Sequence, residues 1–81
     1  MRVRVKLFAV AKELAGSDTL TIDVLDGASV ADLRKAVAAK LPALGQILPH
    51  ALWAVDTAYA DDDTLITQQS DVALIPPVSG G

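Results

Sequence analysis

Arg2-Val3-Arg4-Val5-Lys6-Leu7-Phe8 alternates a polar with an apolar residue at nearly every step. A period of two belongs to a strand, with Val3, Val5 and Leu7 on one face and Arg4, Lys6 and Phe8 on the other. A secretory leader needs an unbroken apolar run behind its positive end, so this opening reads as sheet and not as an export signal. Beyond it, Val10 and Leu14 with the intervening Ala11, Lys12 and Glu13 suit a two-turn helix, and Gly16 stands where such a helix stops. Thr19-Leu20-Thr21-Ile22-Asp23-Val24 alternates again and is rich in β-branched residues, which predicts a second strand ending at the Asp26-Gly27 turn.

Ser29-Val30-Ala31-Asp32 has the form of a capping box with Asp in place of the usual Glu or Gln, and it opens a helix to about Leu41. Val30, Leu33, Val37 and Leu41 make an apolar stripe on that helix, while Arg34, Lys35 and Lys40 can face water. Pro42 to Pro49 is broken by prolines and Gly45 and reads as a packed irregular segment with room for one helical turn. Leu52-Trp53-Ala54-Val55 predicts a third strand, Asp61-Asp62-Asp63 a solvated turn, and Asp71 to Ile75 the last strand, stopped by Pro76-Pro77. The order is strand, short helix, strand, helix, strand, strand. That is an α+β chain, and a β-grasp, ubiquitin-like roll fits it: a mixed sheet, its first strand central, with one main helix packed on one face.

Eighty-one residues make one domain, which excludes most self-sufficient enzymes. With 52% hydrophobic residues, three aromatics and no cysteine, the core is expected to rest on aliphatic packing alone, without disulfide, iron–sulfur cluster or cysteine zinc site. The net charge of −3 argues against a nucleic-acid partner. No apolar run approaches the ~20 residues that span a bilayer, so no membrane association and a cytoplasmic location are expected.

Side-chain chemistry is poorly supplied. His50 is the single imidazole and has no second ligand nearby in sequence. The serines at 17, 29, 70 and 79 lack a nucleophile-elbow context. Asp61-Asp62-Asp63 lacks the alternating ligands, turn glycine and distal Glu of a calcium loop, so no metal site is expected. The end of the chain differs. Residues 1–77 read as the folded body and Val78-Ser79-Gly80-Gly81 as a flexible tail, because Pro76 and Pro77 remove two N–H donors and hold the backbone extended. Gly80 and Gly81 carry no Cβ, so the tail can thread a channel too narrow for side chains and present the Gly81 carboxylate to another protein's active site. The bland alternative is a frayed terminus without a role.

Val5-Lys6-Leu7-Phe8-Ala9, Lys12-Glu13-Leu14-Ala15-Gly16, Ser29-Val30-Ala31-Asp32-Leu33 and Val72-Ala73-Leu74-Ile75-Pro76-Pro77-Val78-Ser79-Gly80-Gly81 together carry a resemblance. Over essentially its whole length the chain resembles the small subunit of molybdopterin synthase, the MoaD family of sulfur carriers. The Pro-Pro-Val-Ser-Gly-Gly ending is the most specific part, since the related thiamine sulfur carriers share the Gly-Gly without this approach. Two turns depart from the family pattern: Gln69-Ser70-Asp71 stands where a Gly-Asp turn is common, and Asp56 where an Asn is common.

The resemblance implies a carrier cycle. An E1-like activating enzyme would use ATP to adenylate Gly81, and a sulfur donor would convert the adenylate to a thiocarboxylate. The large subunit, in a heterotetramer of two small and two large chains, would then receive Val78 to Gly81 and pass the sulfur to a cyclic pyranopterin monophosphate. The chain would bind no cofactor and be a non-catalytic subunit, the catalytic side chains being those of the large one. The family pattern places Phe8, Tyr59 and Ile75 on the docking face, next to Pro76 and Pro77, with Lys12 available to an acid on the partner. Phe8 alternates away from Leu7, in keeping with an outward position; Ile75 reads equally well as core. Two other readings stay open: a carrier delivering sulfur to thiamine, cysteine or tRNA, or joining to a lysine by an isopeptide bond, and a non-reacting ubiquitin-like binding module.

Overall fold

A computed structural model describes residues 1–77. The alternating opening forms strand β1 (Arg2–Leu7), with Val3, Val5 and Leu7 buried and Arg2, Arg4 and Lys6 exposed. Helix α1 (Ala9–Ala15) follows and ends at Gly16, whose φ of 70° is left-handed and whose N–H donates to the Lys12 carbonyl. Strand β2 (Thr19–Asp23) returns antiparallel to β1, pairing Arg2 with Asp23, Arg4 with Thr21 and Lys6 with Thr19.

Helix α2 (Val30–Lys40) begins at the predicted capping box: the Ser29 hydroxyl accepts from the Asp32 N–H and the Asp32 carboxylate accepts from the Ser29 N–H. Its stripe of Val30, Leu33 and Val37 is buried, and Leu41 is half-buried. The irregular stretch holds two short 3₁₀ turns, Pro42–Leu44 and Leu48–His50, which bury Leu44 and Leu48. Strands β3 (Leu52–Val55), β4 (Ala58–Ala60) and β5 (Val72–Ile75) complete a five-stranded sheet in the order β2-β1-β5-β3-β4.

Three expectations change. The sheet contains a strand, β4, that the alternation does not reveal. It forms because Asp56 and Thr57 both adopt positive φ, 53° and 69°, and fold Ala58–Ala60 back onto β3. The middle of the sheet is β5, parallel to β1 and antiparallel to β3, so β1 is interior but not central. The core is also not purely aliphatic, since Trp53 is 3% exposed within it. Its indole N–H has no hydrogen-bond partner, a local cost offset by the area the ring buries.

The aspartate turn does more than meet solvent. The carbonyls of Thr64 and Asp62 accept from the N–H groups of Val30 and Ala31 at 2.9 and 3.1 Å, satisfying donors that the first turn of α2 leaves without intrahelical partners. Asp62 also takes a two-pronged ion pair from Arg34, at 2.7 and 3.1 Å, tying this loop to the helix flank. No helix among the described residues is long and apolar enough to cross a membrane.

Candidate functional site

β1, β2 and β5 bury alternate residues and β3 buries Trp53, and the registers align the outward residues of all five strands in rows. One row runs Thr19, Lys6, Ala73, Ala54 and Tyr59, across all five strands. At the usual strand spacing that is a width of roughly 19 Å. The next row pairs Ile75 with Leu52, and one further step of the β1–β5 register brings Phe8 beside Ile75. Tyr59 is 74% exposed, Leu52 55% and Phe8 48%, while Ile75 is half-buried between its neighbours. Ala54 and Ala73 keep the floor of the patch low.

Phe8 owes its position to the chain's change of course. It is still extended, at φ −128° and ψ 155°, and it precedes α1. Ala9 then adopts a φ of 51°, a left-handed conformation that costs a residue with a Cβ about 1–2 kcal/mol. That turn carries the backbone away from the sheet while the Phe8 side chain stays half in solvent. Lys12, one turn along α1, is exposed and forms no ion pair among the described residues.

Continuing the β1–β5 register past Leu7 and Leu74 sets Phe8 and Ile75 on the same outward row, with Tyr59 on the same face one row away and two strands further out. Pro76 is buried and Pro77 exposed. Val78, Ser79, Gly80 and Gly81, to which sequence reasoning assigns threading and reaction, lie outside the described residues. Leu52 went unnoticed from sequence, although it alternates with buried Trp53 and so had to face outward. His50 is exposed at the end of its 3₁₀ turn.

Among the described residues, nothing on this face resembles an acid–base site. The buried set contains no polar or charged residue except for the Trp53 N–H, and the described residues hold no group of three His, Asp or Glu placed to share a metal. The carboxylates displaced from their ordinary acidity serve the fold. The backbone N–H and hydroxyl of Ser29 hold Asp32 below the usual carboxylate value, and the guanidinium of Arg34 does the same for Asp62. The molecule offers an apolar platform beside the root of its last strand, suited to docking.

Comparison with known proteins agrees with that geometry. Residues 5–81 match the ThiS family. A molybdopterin synthase sulfur carrier subunit of Chlamydomonas reinhardtii is 34% identical, with all of both chains covered. The crystal structure of SAMP1 from Haloferax volcanii superposes with a TM-score of 0.87 at 31% identity, again over all of both chains. A chain from the complex of subunits 1 and 2 of the molybdopterin-converting factor of Helicobacter pylori shares the fold, with a TM-score of 0.70 at 23% identity over both full chains. A mixed five-stranded sheet packed under one capped helix, with an apolar platform beside the exit of its central strand, is the ubiquitin-like β-grasp of small sulfur carriers, and the chain belongs to the ThiS family.

Proposed function

We propose that the protein is the sulfur carrier subunit of a molybdopterin synthase, and that Gly81 is its reacting residue. The observation that carries this reading is the full-length relation to a subunit of that name. The Gly81 carboxylate attacks the α-phosphorus of ATP on an E1-like activating enzyme, expelling pyrophosphate and forming an acyl adenylate. A sulfur donor then displaces AMP to leave the thiocarboxylate. On the large subunit that sulfur passes to a cyclic pyranopterin monophosphate, and the Gly81 carboxylate is regenerated. Two such transfers complete a dithiolene. Neither ATP nor any other cofactor resides on the carrier itself.

The Helicobacter relative occurs in a complex of two converting-factor subunits. By analogy the outward face, through Phe8, Ile75, Leu52 and Tyr59, docks on a large subunit in a heterotetramer, and Pro77 starts the tail towards its active site. Holding the tail on a rigid body raises the effective concentration of the sulfur at the acceptor. The cycle is placed in the cytoplasm.

Intact-mass measurement after incubation with activating enzyme, ATP and sulfur donor should show one oxygen-to-sulfur exchange mapped to Gly81. Removing Gly80 and Gly81 should abolish that exchange while leaving the thermal midpoint unchanged. A mass that never changes, with function surviving the deletion, would replace the carrier by a non-reacting binding module. Thiocarboxylation without transfer to the pterin would point instead to thiamine, cysteine or tRNA thiolation.

A further inference from the structure

The outward face has a second character away from the apolar platform. Arg2, Arg4 and Lys6 project side by side from β1, and with Gln68, Gln69 and Ser70 of the loop before β5 they wall a hollow of about 370 Å³. Two of the three cations are engaged. Arg2 Nε lies 3.3 Å from Asp23, and Lys6 Nζ lies 3.5 Å from Asp71. Arg4 is exposed, faces the uncharged Thr21 across the β1–β2 ladder, and has no carboxylate within 4.0 Å among the described residues. The acid nearest in register on its other side, Asp71, is bonded to Lys6 and donates its backbone N–H to Asp56.

Arg4 is the one arginine of the described residues without an ion pair. It stands on the same strand face as Lys6 and Phe8, four residues from Phe8 and so roughly 13 Å from the apolar platform along the strand, within the span of a standard-size interface centred there. Resting on the carrier reading, we infer that Arg4 selects the large subunit by receiving an Asp or Glu carboxylate at the rim of the docked face. Phe8, Leu52 and Tyr59 supply contact area there. Arg4 supplies steering and register, because a planar guanidinium accepts a carboxylate in one orientation and an exposed rim charge acts mainly on the association rate.

The test is the association rate of the full-length chain with the purified large subunit, measured by stopped flow from about 0.02 M to about 0.3 M salt, a range over which screening shortens severalfold. Arg4→Glu should lower the low-salt rate constant about tenfold, change the dissociation rate little and flatten the salt dependence. Arg4→Gln should fall between it and the wild type. Circular dichroism checks that both variants fold. A wild type that binds, with variants that associate as fast and with the same salt dependence, would overturn the inference and leave the carrier reading standing. Saturable binding of inorganic phosphate at Arg4 together with unchanged association would replace it by a small-anion site. A wild type that does not bind the large subunit at all would overturn both.

Discussion

The two faces of one sheet are built from neighbouring residues and do opposite work. Leu74 is completely buried while Ile75, the next residue of β5, is half open, and Trp53 is sealed in the core while Leu52 before it is 55% exposed. The inner face under α2 is aliphatic with one indole. The outer face passes from cations on β1 to an apolar platform around the exit of β5. Because burial alternates along β1, β2 and β5, either face can change there without the other, and stability and recognition are separable one residue apart.

Leu74→Ala tests that separation from the inside. It should cost about 3 kcal/mol, the usual effect of truncating a fully buried leucine in a core that cannot collapse around the space. Urea denaturation measures it, and a loss under about 1 kcal/mol would mean that the inner face is less tightly packed than its burial implies. Phe8→Asp tests the outside. The domain should keep its stability while the dissociation constant for the large subunit rises about tenfold or more, as for loss of an aromatic anchor. Titration calorimetry decides, and unchanged affinity would remove Phe8 from the interface.

The smallest effect belongs to the seam that holds the helix layer to the loop. Pairing with Arg34 keeps Asp62 below its ordinary pKa of 3.8, so the pair adds stability present above that pH and lost as the pH falls through the lower folded value. Asp62→Asn should therefore lower the thermal midpoint slightly at neutral pH, and the difference from wild type should close in acid. A difference that does not shrink at all as the pH is lowered through the acid range would assign the loss to something other than this charge.

Much of the inner face could be read from the chain, because burial and a period of two or 3.6 write themselves into residue order. Val3, Val5, Leu7, Val30, Leu33 and Val37 are all where the pattern puts them. The strand β4 could not be read in the same way. It is three residues long, two of them alanine, and its turn uses Asp56-Thr57 without the glycine that normally marks two positive φ angles. Strand order was equally hidden, since alternation says which face a residue takes but not which strand lies beside it. The pairing of Arg34 with Asp62 joins positions 28 apart, beyond the reach of any local pattern. On the outer face, Phe8 could be placed by alternation, whereas Ile75 could not be assigned until β5 was seen between β1 and β3.

That position of β5 bears on how the molecule is made. The middle strand is the last of the sheet to be synthesised, and its partner β1 is the first. Until Val72 to Ile75 insert, β1 and β3 each present an unpaired edge, an invitation to aggregation that no local contact can remove. A nascent or truncated chain ending before Val72 therefore cannot close its sheet. Folding acts as a check on translation, since a closed sheet can belong only to a chain synthesised through Ile75.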